Sequence, residues 1–198
     1  MSITAENVPA EKPTARTLTY ESYLAEGTVN RRYEIRDGVR HWMPNPTVRH
    51  QDILFNIATA FKAFSRSSRE VRMVVAACDV LITYAPLKTR QPDILFISPE
   101  RFGDRNPLDP SALDPAPELV VEILSPSDTR TVLAGKLRDY RRVEVRECWV
   151  VSIDTQTVEV LRLTPEAEES QAVYSGVDSV RSAVFPNLLV PVTDIFAL

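Results

Sequence analysis

The sequence predicts a mixed α/β fold in which helices pack on one mostly buried sheet. Apolar residues recur at three- and four-residue spacing through 48–64 and again through 129–143, the signature of two amphipathic helices. Strand-sized apolar runs lie between and after them, none approaching the roughly 20 apolar residues of a membrane span. The chain has 198 residues, 44% of them hydrophobic and 25% charged, which suits one compact domain with its own core and is too apolar for a disordered polymer.

Residues 1–16 hold Pro9 and Pro13 without helical or strand period and read as a tail, so the domain is assigned to 17–198. Leu18, Tyr20, Tyr23 and Leu24 predict a short opening helix that stops at Gly27. RRYEIRDGVRHWM follows as two alternating runs around Asp37-Gly38, a pair that tolerates positive φ in a two-residue hairpin turn. After Pro44 and Pro46, Ile53, Leu54, Ile57, Ala58, Phe61 and Phe64 line one face of a helix of about four turns. Three strands are expected at 71–76, 80–84 and 94–97, then a proline-rich surface loop over 99–117 that suits a functional flap. ELVVEILS is the most apolar strand; the second long helix follows it. Strands at 146–153 and 157–163, shorter runs at 171–174 and 179–181 and the apolar segment 188–198 close the domain, the last suited to core or to an interface.

The N-terminus lacks the basic start and apolar middle of a secretory signal, so a cytoplasmic setting without membrane contact is expected. Cys78 and Cys148 sit inside apolar runs without metal-binding spacing and read as reduced core residues. A net charge of −4 argues against coating nucleic acid by bulk electrostatics but leaves local patches open. Of 23 basic residues only Lys12, Lys62, Lys88 and Lys136 are lysines, so the position of each lysine carries information.

Three charges stand where the pattern asks for apolar side chains, and a buried charge costs several kcal/mol unless it is compensated. Glu122 lies between Val121 and Ile123 in the most apolar strand. Its blander reading is an ion pair with an arginine. Asp93 follows Pro92 at the head of the run ILFI, where a simple turn is the alternative. Lys136 falls on the stripe of Val132, Leu133, Leu137, Tyr140 and Val143, while Arg138, Asp139, Arg141 and Arg142 are expected on the solvent side. A lysine whose stem snorkels to the rim is the plain alternative there.

Together these residues resemble the PD-(D/E)XK nuclease superfamily and, within it, the Uma-two family of restriction-endonuclease-like proteins. The resemblance runs over about 17–198: YEIRDG at 33–38, His50 opening the long helix, QPDILFIS at 91–98, PELVVEILSPS at 117–127, Lys136 with Tyr140, and 149–154. It implies a restriction-endonuclease-like core, a central mixed sheet flanked by helices with an N-terminal hairpin and extra C-terminal strands. It further implies a Mg²⁺-dependent (or Mn²⁺-dependent) endonuclease, most readily on DNA, with Asp93, Glu122 and Lys136 catalytic. Asp93 and Glu122 would hold the ion, with the carbonyl of Ile123 a further ligand. The superfamily's lysine two residues after the acidic one is Leu124 here, and Lys136 takes its place, as is typical of this family. The resemblance also raises His50 to a phosphate or metal contact. Glu34 reads either as an extra acidic ligand or as a partner of Arg32 or Arg40. Arg31, Arg32, Arg36 and Arg40 on the hairpin and Arg138, Arg141, Arg142 and Arg146 around the second long helix offer a positive approach, a solvated surface with paired acids being the plain alternative, and a homodimer is expected as common for such nucleases. The alternative function is a catalytically idle domain of this fold acting as a binding or assembly module.

Overall fold

The computed structural model describes residues 17–27, 29, 31–68, 72–75, 78–106, 112–114, 116–125 and 128–198; the expected tail at 1–16 lies outside them. In chain order the elements are α1 (Tyr20–Glu26), β1 (Tyr33–Arg36), β2 (Val39–Trp42), α2 (Val48–Ser68), β3 (Arg72–Val75), β4 (Val80–Tyr84), β5 (Leu87–Arg90), β6 (Ile94–Ile97), α3 (Pro99–Phe102), β7 (Leu119–Leu124), α4 (Arg130–Arg142), β8 (Glu147–Ser152), β9 (Thr157–Leu163), β10 (Glu168–Ser175), β11 (Ser179–Arg181), β12 (Leu189–Pro191) and α5 (Val192–Ile195).

The main sheet has six strands in the order β10-β9-β8-β7-β6-β3. Its one parallel pair is β7 with β8, joined through α4; all other neighbours run antiparallel. Strand alternation splits β7 between two cores. Leu119, Val121 and Ile123 face α2, α5 and the C-terminal segment, where Phe61 stacks on Phe96 at 4.3 Å and meets the edge of Trp149 at 5.1 Å. Val120 faces the core built with Leu137 and Tyr140 of α4. Glu122 shares the parity of Val120, so alternation alone turns it toward α4.

A smaller layer covers one end of this sheet. β1 and β2 form the expected hairpin, with Asp37 at φ 51° and Gly38 at φ 74° in the turn, and β4 pairs with β5 in a second one. The two are tied by Gly38 N–H to Leu87 C=O at 2.8 Å and Ile35 N–H to Thr89 Oγ1 at 3.2 Å. Their shared core holds Tyr23, Tyr33, Ile35, Leu81 and Leu87. α1 caps this layer, its Thr19 and Ser22 forming a reciprocal capping box.

Several details differ from expectation. Among the described residues the expected central mixed sheet, N-terminal hairpin and extra C-terminal strands are present, and the strand expected at 80–84 leaves the central sheet to pair with β5. β5 is missing from the sequence prediction; LKTR lacks an apolar alternation because its polar side chains are satisfied by a buried cluster described below. α2 spans 21 residues and runs beyond its apolar stripe. The 99–117 segment is not a plain surface loop: it contains α3, a bridge from Leu113 to Val80, and the buried Ala112, Leu113 and Ala116, while 107–111 and 115 lie outside the described residues. Leu188, Val190, Val192, Ile195 and Phe196 are core, with Asn56 of α2 donating to the Ile195 carbonyl at 3.1 Å.

Candidate active site

At the entry to α4, Thr129 caps the helix through Val132 N–H, and Asp128 accepts from Ser125 N–H and Oγ–H at 2.8 and 2.6 Å. That geometry lays Lys136 and Tyr140, four residues apart, over Glu122. Lys136 Nζ donates to Glu122 Oε2 at 2.6 Å and the Tyr140 hydroxyl donates to Oε1 at 2.5 Å. Glu122 is 4% exposed and Lys136 8%. Burial pushes the Glu122 carboxyl above its ordinary value, helped by the charge of Asp93 and opposed by Lys136 and Tyr140. Burial would pull the Lys136 ammonium down, but Glu122, Glu34 and Asp93 outweigh it and hold it protonated. Tyr140 is kept in its neutral, donating form by burial and by Glu122.

Asp93 enters from the neighbouring strand. Its N–H donates to the Val121 carbonyl at 3.1 Å and its Oδ2 accepts from Ile123 N–H at 2.9 Å, so both ends of the residue are bolted to β7 around Glu122. His50 Nε2 stands 3.3 Å from Oδ2, and Arg32 Nη2 lies 3.4 Å from Oδ1. Burial raises the Asp93 carboxyl, yet the His50 contact, the Ile123 N–H and Arg32 together bring it below the usual value. Asp93, Glu122, Lys136, His50, Arg32, Asp128 and the 43–47 segment line one cavity of about 280 Å³.

Glu34 is not in that lining. It sits behind Lys136 with Arg90 Nη1 at 2.5 Å and Arg36 Nη2 at 2.9 Å, in place of the expected Arg32 or Arg40. Burial raises the Glu34 carboxyl, but Lys136, Arg90 and Arg36 hold it below the ordinary value. Arg90 also grips Asp139 through Nη2 at 2.6 Å and Nε at 2.8 Å, and Lys88 adds a contact at 2.7 Å. Asp139 is therefore buried and not on the solvent face. Its position three residues after Lys136 was the available signal; the run of arginines around it obscured that spacing. The roles of Arg90 and the Tyr140 hydroxyl do not follow from the sequence, because each depends on which strand arrives beside α4. The glutamate's partner is the lysine, where the plain reading had an arginine.

The donor set suits a hard divalent cation. Among the described residues no three His, Cys, Asp or Glu side chains gather into a cage, but two carboxylates on adjacent strands are what Mg²⁺ ordinarily asks of a protein, with water and phosphate oxygens completing its octahedron. Cys78 and Cys148 are free thiols, and neither lines the cavity.

The chain is a mixed α/β domain with a parallel β7-α4-β8 crossover and two acidic side chains beside one cavity. A crystal structure described as "a putative nuclease belonging to DUF820" from Anabaena variabilis ATCC 29413 superposes with a TM-score of 0.73 and 21% identity, covering 91% of this chain and 98% of that one. At that identity the likeness speaks for the fold. Residues 20–193 match the model of the Uma2 family, described as "Putative restriction endonuclease", and the chain belongs to that family. No curated protein matches the sequence. Among the described residues no helix is long and apolar enough to cross a membrane.

Proposed function

We propose that this protein is a divalent-metal-dependent endonuclease that hydrolyses phosphodiester bonds, with Mg²⁺ (or Mn²⁺) as the ion and DNA as the substrate. The observation that carries the reading is the convergence of Asp93, Glu122 and Lys136 on one cavity, three charges from the residue before β6, from β7 and from α4 that a purely structural ion pair would not need beside an open space. Asp93 and Glu122 would hold the ion, which supplies Lewis-acid stabilisation of the phosphoryl charge and a more acidic bound water. Lys136, its ammonium 2.6 Å from Glu122, serves as a charged donor to the negative charge that develops on the phosphoryl oxygens. His50 is a positioning residue: its Nε2 side meets Asp93 and its Nδ1 is buried without a partner. Arg32, on the cavity rim, meets the incoming phosphate.

A second reading draws on a specific observation: every oxygen of Asp93 and Glu122 already has a protein partner, as in an idle domain whose acids are neutralised. Incubation with supercoiled plasmid and Mg²⁺ or Mn²⁺, alongside calorimetric titration of the metal alone, separates the two. Wild type nicks the plasmid and binds the ion, while Glu122→Gln loses at least about 10³-fold in cleavage and most of the binding. Equal cleavage by both proteins overturns the assigned site; neither cleavage nor metal binding by wild type favours the idle module.

A further inference from the structure

Trp42 ends β2 with 46% of its surface exposed, and it belongs to none of the three buried clusters. Its ring stands edge-on to the buried Tyr33, with centroids 5.6 Å apart at 77°. The Arg40 guanidinium lies 4.4 Å from the Tyr33 centroid and 5.4 Å from that of Trp42, and is itself paired with Glu26. The indole is thus braced from beneath by groups that are already fixed, and its orientation requires little further ordering.

Its surroundings connect it to the catalytic cavity. The next five residues after Trp42, Met43 to Thr47, are a wall of that cavity. On the other strand approach, Arg31 places its guanidinium 5.0 Å from the Trp42 centroid while the adjacent Arg32 turns into the cavity toward Asp93. A path therefore runs from an aromatic surface with an exposed arginine, past a second arginine, to the two carboxylates. That alternation of ring and cation matches a chain in which bases and phosphates alternate. A duplex keeps its base faces stacked inside and offers none to an indole, whereas a single strand offers one per nucleotide. The cavity, at about 280 Å³, is smaller than the roughly 300–1,000 Å³ of small-molecule pockets, so a strand enters it as backbone and not as a stacked helix.

Resting on the nuclease reading of the same site, we infer that Trp42 with Arg31 is a base-stacking platform and that the substrate crosses the mouth of the cavity as single-stranded nucleic acid. The test uses the full chain in EDTA, so that binding is read without cleavage. The probes are a thymidine oligonucleotide long enough for one site of roughly 4–16 nucleotides and a duplex of equal length. The protein has two tryptophans and Trp149 is wholly buried, so quenching of indole fluorescence reports on Trp42. The single strand quenches the signal and binds at least about tenfold tighter than the duplex; Trp42→Ala weakens single-strand binding about 5- to 150-fold, and Trp42→Phe restores most of it. A melting temperature for Trp42→Ala close to wild type shows that the loss is not unfolding, and were the alanine variant unfolded, Trp42→Phe and the quenching of wild type decide the matter. The inference is overturned if the alanine variant binds the single strand like wild type, if the duplex binds equally well without quenching, or if neither probe binds. Normal binding by Trp42→Ala together with Glu122-dependent plasmid nicking removes the platform and leaves the nuclease. Trp42-dependent single-strand binding without any cleavage does the reverse.

Discussion

Two clusters of buried acids lie on either side of Lys136, and they answer the same problem differently. Behind it, Glu34 and Asp139 share Arg90, with Arg36 and Lys88 adding contacts at 2.9 and 2.7 Å, and none of these residues lines the cavity. In front of it, Asp93 and Glu122 are met by an imidazole, a phenol, an ammonium and one long guanidinium contact, beside open space. Both sets are nearly inaccessible, yet Glu34 is held below its ordinary value and Glu122 above it. Burial and charge alone therefore do not separate a brace from a site. The distinction lies in the surroundings: Arg90 converges on one oxygen each of Glu34 and Asp139 away from the cavity, whereas Asp93 and Glu122, held by His50, Lys136 and Tyr140, line it.

The largest change should come from breaking the brace. Arg90→Gln leaves two buried carboxylates under-compensated, a loss of about 3–5 kcal/mol, or roughly 6–20 °C in melting temperature for a domain of this size. Calorimetry at neutral pH checks this, and a shift of a degree or two would mean that Lys88, Arg36 and Lys136 suffice. A smaller effect separates the clusters by pH. Because the Glu34 pKa is lowered by folding, its stabilisation is complete above its ordinary value of 4.5 and is lost as pH falls through the lower folded value. Melting temperature measured from about pH 3 to 6 should thus decline less steeply on the acid side in Glu34→Gln than in wild type. The smallest effect on stability is expected in front: Arg32→Gln removes a 3.4 Å contact from a partly exposed side chain and should cost under about 1 kcal/mol, while lowering cleavage roughly tenfold through KM. A large melting shift with unchanged cleavage would move Arg32 from the site to the scaffold.

Much of this was legible in the chain. Asp37-Gly38 dictated the first hairpin, the 3.6-residue period marked α2 and α4, and the glutamate inside LVVEIL together with a lysine on the inner stripe of α4 marked the pair that meets at 2.6 Å. These are local patterns, carried by residues close in sequence. β5, Arg90 and Asp139 were not legible, because LKTR is a strand only when Asp139 and Glu34 arrive from 49 and 56 residues away to satisfy Arg90. His50 and Arg32 are singled out in the sequence, His50 by the family resemblance and Arg32 as part of a positive approach, but their meeting on Asp93 is a tertiary fact that no periodicity carries.

The burial of Arg90 has a bearing on ionic strength. Ions screen charges that water can reach within about a Debye length, roughly 8 Å at physiological salt, and act weakly on pairs sealed from solvent. The Arg90 cluster, with its acids 1% and 8% exposed at their side chains, is of the sealed kind, whereas Arg31 stands at the surface. Raising salt should then release a polyanion from the rim while the scaffold beneath it stays intact, so that holding the substrate and holding the shape respond to salt independently.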